Sequence, residues 1–305
     1  MEFLKWLEAL RTPLLDDFFG LITRLGEETI LMVIAMVVMW CINKKKGMYL
    51  IGVGFSGILV NQFIKITARV PRPWVMDPSF SPVESAIEGA GGYSFPSGHT
   101  QTAVGMFGGI ARGFTNVWLR AVCIALAILV GFSRMYLGVH TPADVLWAAA
   151  MSCVLIFGIY PLIDCNYEKE KVMHSLFAAF SAVSLAYILY VELFPFPEDV
   201  DPANMLHAVE NAYKLLGSVM GIWSGYFMER KVTRYDTKAI WWGQVIKVAV
   251  GLGLFMAIRS GLKAILPESP IFGGIRYFIM IGVMAGLWPM VFRFFPKGKH
   301  HKEEE

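Results

Sequence analysis

The chain alternates between long apolar runs and short polar connections. A transmembrane helix needs about 20 mostly apolar residues, and the pattern predicts nine such spans. They cover residues 27–42, 48–66, 97–115, 119–138, 142–162, 173–193, 209–228, 240–265 and 273–293. The first of them is short and can begin earlier, near Leu21. The pattern therefore predicts an all-α polytopic membrane protein.

The N-terminal segment has a different pattern, in which apolar and charged residues are interspersed around Pro13. Large apolar side chains such as Trp6 and Phe18 lie among charged ones such as Glu8. Such a pattern is typical of amphipathic helices that lie in the plane of the membrane interface. We therefore assign residues 1–26 to an interfacial segment that precedes the spans.

Basic residues predict the orientation, because Lys and Arg accumulate in short cytoplasmic loops. Five basic clusters fall at alternate span ends: Lys44–Lys46, Arg112 with Arg120, Lys169 with Lys171, Arg230–Lys238, and Lys297–Lys302. All of them can face the cytoplasm together, which places the N-terminus outside and a basic tail in the cytoplasm. The remaining loops then face the extracytoplasmic side of the cell membrane, or the lumen if the membrane is a eukaryotic endomembrane.

Composition agrees with a membrane protein. Of the 305 residues, 56% are hydrophobic and 17% are charged, and the mean hydropathy is +0.53. Soluble domains carry about a quarter charged residues. The net charge of +3 is small, and the basic residues form no stripe with interleaved aromatic residues, which argues against nucleic-acid binding.

Polar residues stand at several span ends on the predicted outer side, where ionisable groups are costly and need a reason. They form three groups: Lys65 with Arg72 and Pro73, Pro96 to His99, and Ser133 to Asp144. The predicted topology brings these three groups, which are distant in sequence, to one membrane face.

The residue types in these groups fit phosphoryl transfer, which depends on positioning and on charge stabilisation around phosphorus. Lys65, Arg72 and Arg134 supply fixed cations for the phosphate oxygens. Ser97 and Gly98 would lie at a helix N-terminus, where free backbone N–H groups bind anions. The three groups together therefore predict a phosphate site.

The two histidines suit different steps of such a reaction. A nucleophilic histidine must be neutral, with a carboxylate accepting the proton on its other nitrogen, and His140 with Asp144 suits that pairing. His99 can protonate the departing oxygen, because an alkoxide is a poor leaving group. Asp144 with Thr141 and Pro142 also fits an ordinary helix start, but the neighbouring His140 favours the catalytic interpretation.

The three groups match the motifs K-x6-R-P, P-S-G-H and S-R-x5-H-x3-D, and in this the chain resembles the type 2 phosphatidic acid phosphatase (PAP2) superfamily. The resemblance covers residues 60–145 by motif and residues 1–165 by span layout. It implies metal-independent dephosphorylation of a lipid through a phosphohistidine, with no cofactor. The implied roles are His140 as nucleophile, His99 as general acid, Asp144 as partner of His140, and Lys65, Arg72, Ser97, Gly98 and Arg134 as phosphate ligands.

The chain departs from the usual six-span layout of that family. The interfacial segment replaces a first span, and four spans follow the part that carries the motifs. We therefore divide the chain into a PAP2-like catalytic core at 27–165 and additional spans with a basic tail at 166–305. His207, which is close to Glu210, is interpreted as a residue that caps or lines a helix.

Several functions remain open at this stage. The substrate could be phosphatidic acid, a lysolipid phosphate, a sphingoid phosphate, phosphatidylglycerol phosphate or a polyprenyl pyrophosphate. A phosphotransferase that passes the phosphoryl group to an acceptor would use the same site. A transporter of anionic lipids would need neither the paired histidines nor Asp144. The sequence predicts a lipid phosphate and membrane lipids as partners and leaves the oligomeric state open.

Overall fold

The computed structural model describes residues 1–198 and 200–296, which form helices and loops with no β-strand among them. The all-α prediction is confirmed. The helices before residue 165 are α1 Glu2–Ala9, α2 Pro13–Arg24, α3 Glu28–Val37, α4 Lys44–Ala68, α5 Pro73–Met76, α6 Gly98–Ala103, α7 Gly109–Gly113, α8 Val117–Tyr136 and α9 Pro142–Asp164. Short π-helical segments continue α3 over Val38–Ile42 and join α6 to α7 over Val104–Gly108.

The second half of the chain contains four longer helices. These are α10 Glu170–Leu193, α11 Pro202–Met228, α12 Trp241–Ile265 and α13 Pro270–Gly282. A π-helical segment, Glu229–Thr233, follows α11, and another, Val283–Leu287, follows α13 and leads into a 3-10 helix at Trp288–Phe294. The basic tail that the sequence predicts at the C-terminus lies outside the described residues.

The described chain divides into two compact units. The first comprises Met1–Met32, Tyr49–Cys165 and Leu193–Ala208, and the second comprises Val33–Met48, Asn166–Glu192 and the residues from Val209 onwards. All the motif residues lie in the first unit. This unit also contains the start of α11 at Pro202, which lies 58 residues after Asp144, the last motif residue.

Within the described residues, six helices are long and apolar enough to cross a membrane, or seven if α2 and α3, which meet at a bend of 51°, form one span. The predicted count of nine is therefore too high by this measure. The helix that starts at Gly98 is too short, because the backbone becomes extended at Phe114. α11 is long, but Asn211 and Lys214 lower its hydropathy. The helices that are both long enough and apolar enough support an integral membrane protein.

Close helix contacts fix the start of α6, which carries the P-S-G-H motif. α6 packs against α8 and α9. Gly57 of α4 lies so near Gln101 that a Cβ atom there would collide with the Gln101 amide. A Cβ atom at Gly26 would lie 2.8 Å from the backbone oxygen of His99. Glycine at these two positions therefore permits the approach of neighbouring segments to α6.

The N-terminal segment forms two helices that break at the predicted proline. Pro13 is the first residue of α2, a position that suits its fixed φ angle, and the Thr12 side chain caps this helix. α1 buries Leu4 and Leu7 against Phe80, a residue of the loop that follows α5. One face of α1 is therefore occupied by protein, and the location of the segment in the membrane interface stays a prediction.

Candidate active site

Arg72 connects two of the three motif groups. Its NH1 donates to the backbone oxygen of Val139 over 2.9 Å and lies 3.0 Å from Nε2 of His140. Its Nε and NH2 donate to the backbone oxygens of Gly92 and Gly91 over 3.1 and 2.8 Å. The guanidinium is thus held by a loop on one side and faces the histidine on the other.

Asp144 lies beside His140 and also caps α9. Its Oδ2 is 3.4 Å from Nδ1 of His140, and it accepts a hydrogen bond from the backbone N–H of Thr141 over 2.7 Å. The Thr141 side chain accepts from the backbone N–H of Asp144 in return, which completes a capping box. The two interpretations of Asp144 are therefore compatible, because one carboxylate occupies both positions.

Ser94, which lies outside the three motifs, joins this pair. The Ser94 hydroxyl donates to Oδ2 of Asp144 over 2.6 Å, and its oxygen lies 3.5 Å from Nδ1 of His140. Ser94 is fully buried. Its only sequence signal is its place two residues before the P-S-G-H motif, because its contacts arise from tertiary folding.

The contacts of His140 assign its tautomer. Nδ1 faces the carboxylate of Asp144 and Nε2 faces the guanidinium of Arg72, so the proton belongs on Nδ1 and the unprotonated Nε2 accepts from Arg72. Burial lowers the pKa of His140 well below its ordinary value, and the positive charges of Arg72 and Arg134 lower it further. The imidazole is therefore neutral near pH 7.

Lys65 is a second buried cation at this end of α4. Its Nζ donates to the backbone oxygen of Tyr93 over 2.6 Å, and only 7% of the residue is exposed. Tyr93 directly follows Gly91 and Gly92, whose oxygens hold Arg72. One short loop segment, 91–93, therefore fixes two of the predicted phosphate ligands.

Arg134 is the third cation and is only partly satisfied by protein. Its NH1 donates to Oγ1 of Thr23 over 2.7 Å, whereas its Nε and NH2 are buried and have no hydrogen-bond partner among the described residues. Arg134 is 2% exposed. Buried guanidinium donors without partners are costly, and an anion would satisfy them. Thr23 of α2 was not identified from the sequence, because it lies outside the motifs.

The P-S-G-H motif forms the start of α6. Ser97 is the N-cap residue, and its hydroxyl oxygen accepts from the backbone N–H of Thr100. The backbone N–H of Ser97 donates to the backbone oxygen of Asp144 over 3.1 Å, which ties this motif to the third one. Gly98 and His99 are the first two helical residues, and a helix start of this kind favours anions.

The structure places Lys65, Arg72 and Arg134 around His140 and Asp144, and the backbone N–H of Ser97 joins the start of α6, which carries Gly98 and His99, to this cluster. Buried cations surround the histidine and the carboxylate, while the start of α6 adjoins them through Asp144. No group of three or more His, Cys, Asp or Glu side chains that could hold a metal ion occurs among the described residues. The arrangement can bind an anion next to a neutral, oriented imidazole.

Comparison with known families gives two matches. A family model described as PAP2 superfamily matches residues 46–167. A second, described as PAP2 superfamily phosphatase, transmembrane extension, matches residues 213–300. The first match contains all the motif residues, and the second lies in the additional helices. No solved structure matches the chain.

Three curated proteins resemble parts of the chain. Undecaprenyl-diphosphatase BcrC of Bacillus subtilis is 30% identical over 40% of this chain and 60% of its own length. Phosphatidylglycerophosphatase B of the same organism is 28% identical over 48% of this chain and 75% of its own length. Probable sphingosine-1-phosphate phosphatase of Dictyostelium discoideum is 29% identical over 56% of this chain and 42% of its own length. The chain thus spans 60% of the first relative and 42% of the third, less than two thirds of either.

Proposed function

Since this chain belongs to the PAP2 superfamily, we propose that it removes phosphate from a membrane lipid, without a metal ion and through a phosphohistidine on His140. The observation that carries the proposal is the position of His140 between Asp144 and Arg72. Nδ1 lies 3.4 Å from the carboxylate and Nε2 lies 3.0 Å from the guanidinium. A neutral nitrogen next to a cation that can hold a phosphoryl group supports nucleophilic attack by His140.

Phosphate binding would rely on the three buried cations. The two nitrogens of Arg134 that have no partner among the described residues would donate to phosphate oxygens. Arg72 and Lys65 would donate with the hydrogens that their backbone contacts leave over. The Ser97 hydroxyl and the backbone N–H group of Gly98 at the start of α6 would add to this set. Fixed donors of this kind stabilise the charge of a phosphoryl transition state without reorganisation.

The first chemical step would transfer the phosphoryl group to the enzyme. Nε2 of His140 forms a bond to phosphorus, and the bond between phosphorus and the lipid oxygen breaks. Asp144, held by Ser94 and Thr141, stabilises the positive charge that develops on the imidazole. Burial and the charge of Arg134 lower the pKa of His99 in the unliganded site, so His99 takes up a proton when the phosphate dianion binds beside it. It gives this proton to the departing lipid oxygen, so that the product is a neutral alcohol.

The second step would release the phosphate. A water molecule gives a proton to His99 and attacks phosphorus, and the bond to Nε2 breaks. Inorganic phosphate leaves, His140 returns to its neutral state, and His99 is protonated for the next cycle. The phosphoryl charge is neutralised by fixed side chains, so this sequence needs no divalent cation.

The position of the site at the ends of apolar helices supports a lipid substrate. The cations stand at the ends of apolar helices, where the head group of an amphiphile lies while its tail stays in the membrane. The three similar proteins are named as phosphatases of a polyprenyl diphosphate, a glycerophospholipid phosphate and a sphingoid phosphate. Their common feature is a phosphorylated lipid, which we propose as the substrate class here.

The test is phosphate release by purified protein in excess EDTA from a panel of phosphatidic acid, lysophosphatidic acid, phosphatidylglycerol phosphate, a sphingoid phosphate and a polyprenyl diphosphate. We expect release from at least one member, inhibition by vanadate, and no release by His140→Ala. His174→Ala, which changes a histidine outside the motifs, serves as the matched control. No release from any lipid, or a loss in EDTA that magnesium restores, would contradict the proposal.

A further inference from the structure

The turn between Arg134 and His140 sets the position of the nucleophile relative to a phosphate ligand. α8 ends in this segment, at Tyr136. The backbone N–H groups of Val139 and His140 then both donate to the backbone oxygen of Arg134, over 3.1 and 3.3 Å. Gly138 has a φ angle of +77°, a conformation that only glycine adopts readily. The spacing of Arg134 and His140 therefore depends on what holds the end of α8 and this turn.

The end of α8 exposes carbonyl groups that need donors from elsewhere, because the last four carbonyls of an α-helix have no partner within the helix. Arg11 supplies one of these donors: its Nε donates to the backbone oxygen of Tyr136 over 3.1 Å. The next carbonyl, that of Leu137, accepts from the backbone N–H of Val83 over 3.0 Å. Both donors lie outside the three motifs, so the turn is held by parts of the chain that carry no catalytic side chain.

Arg11 also joins the end of α8 to the loop that follows α5. Its NH1 donates to the backbone oxygen of Ser81, and its guanidinium carbon lies 5.3 Å from the centroid of the Phe80 ring. The backbone N–H of Ser81 donates to Oε1 of Glu8 over 3.1 Å, so both backbone polar groups of Ser81 are held by the N-terminal segment. Only 12% of the Arg11 side chain is exposed, which limits the competition of water for its charge-assisted hydrogen bonds.

The helix that follows Arg11 is attached to the same end of α8. The Tyr136 hydroxyl donates to Oδ1 of Asp16 over 2.9 Å and accepts from the backbone N–H of Thr12 over 3.4 Å. The rings of Tyr136 and Phe19 pack with their centroids 4.3 Å apart. The N-terminal segment therefore holds Tyr136 through both its backbone and its side chain. All these residues belong to the compact unit that contains the motifs.

We propose that Arg11 is a positioning residue of the active site, which holds the end of α8 and thereby keeps Arg134 and His140 at the spacing that phosphoryl transfer requires. This inference rests on the proposed function. A guanidinium suits the role, because its planar fork of donors satisfies two carbonyl groups at once and its charge is favourable at a helix C-terminus. The N-terminal segment, which precedes all three motifs, thus takes part in catalysis through the end of α8.

The experiment measures the binding of orthovanadate, a phosphate analogue, to the purified protein by titration calorimetry. Arg11→Ala should raise Kd by about 10- to 100-fold, the range that small misplacements of catalytic groups produce. Arg11→Lys should raise Kd less, because an ammonium keeps the charge at the end of α8 but lacks the planar fork. The matched control is Lys5→Ala, which removes a cation of the same segment that bonds to Asp77 and Ser79 of the same loop. Its Kd should stay within about twofold of that of the unsubstituted protein.

Calorimetry separates a positioning role from a purely structural one. A structural role would lower the stoichiometry of binding, which reports the folded fraction, and would leave Kd of the remaining protein unchanged. An unchanged Kd in Arg11→Ala, or an equal rise of Kd in Lys5→Ala, would overturn the proposal. If Arg11→Ala yields no folded protein, Arg11→Lys decides, and an unchanged Kd in that variant overturns the proposal.

The same variants separate this inference from the proposed function. In Arg11→Ala, kcat/KM for a lipid phosphate should fall in parallel with vanadate affinity, because both depend on the spacing of Arg134 and His140. Absence of lipid phosphatase activity in the unsubstituted protein would contradict the proposed function. A rise of Kd for vanadate in Arg11→Ala would then still support the role of Arg11 in anion binding.

Discussion

NH1 of Arg72 lies 3.0 Å from Nε2 of His140, so a phosphate group that approaches the nucleophile also approaches the cation. A phosphate that meets Nε2 must take the place where this guanidinium points. The same contact also disfavours a proton on Nε2, since an arginine can only donate. Binding and activation of the nucleophile are thus linked at one pair of atoms.

His140→Ala should abolish both turnover and the phosphorylated enzyme. No other side chain among those described at the site has a free nitrogen next to Arg72 and Asp144. The measurement is rapid acid quench with a radiolabelled lipid phosphate, followed by detection of acid-labile, protein-bound label. Protein-bound label that persists in His140→Ala would show that another residue is the nucleophile.

The pH dependence should reflect the lowered pKa of His140. A histidine in water has a pKa of about 6.5, whereas burial and the nearby guanidinium groups lower it here. The neutral, reactive form of His140 therefore persists to lower pH than that of a free histidine. As the pH is lowered, kcat/KM should begin to decrease only well below pH 6.5. The free energy of unfolding should also fall as the pH drops below about 6.5, because the unfolded protein then binds a proton at this histidine that the folded protein does not bind.

The profile of kcat/KM against pH between 4 and 8 provides the check, because this parameter reports the free enzyme. Circular dichroism at each pH separates protonation of the site from unfolding. An acid limb centred at or above pH 6.5 would contradict a neutral His140 in the unliganded protein.

Substitutions at Asp144 and Ser94 should reduce activity to different degrees. Asp144→Asn should lower kcat by about four orders of magnitude, as loss of the orienting carboxylate does in hydrolase triads. Its amide oxygen can still accept from Thr141, so the helix start should survive. Ser94→Ala removes one hydrogen bond to a charged group, which is worth about 1.5–3 kcal/mol, or about 10- to 100-fold in rate.

Steady-state kinetics of both variants would test whether Asp144→Asn loses more activity than Ser94→Ala, with thermal melts as a control for folding. Ser81→Ala, in the neighbouring loop, is a matched serine substitution outside the site. A Ser94→Ala variant with full activity would show that the two contacts of Asp144 with Thr141 and His140 are sufficient.

His99→Ala should be sensitive to the leaving group. A proton donor matters most when an alkoxide departs, and matters less for a nitrophenolate or a phosphate leaving group. The ratio of His99→Ala to unsubstituted kcat/KM should therefore be much smaller for alkyl phosphates than for nitrophenyl phosphate. Equal defects with both substrates would mean that His99 serves binding and not proton transfer.

The sequence predicted the membership of the site but not its internal contacts. Lys65, Arg72, Arg134 and His140 could be assigned to one place because each stands at a span end on the same predicted side. Ser94 could not, because a serine in a loop gives no signal until folding places it against Asp144. The contact of Thr23 with Arg134 is hidden for the same reason.

The helices were predicted more accurately than their relation to a membrane. Hydropathy located the helix after Gly98 and α11, since both carry apolar runs. It could not show that the first ends at Gly113, where the following backbone becomes extended, or that the first turn of α11 packs in the unit of the active site. Such features depend on tertiary contacts, which average hydropathy does not report.

The capping box at the start of α9 links folding to chemistry. The carboxylate of Asp144 satisfies the backbone N–H of Thr141 and also faces His140. If α9 were to begin at another residue, this carboxylate would turn away and the imidazole would lose its orientation. Under the proposed mechanism, an incorrectly folded copy is thus inert in the membrane, and the protein acquires its reactivity only when this helix start is correctly formed.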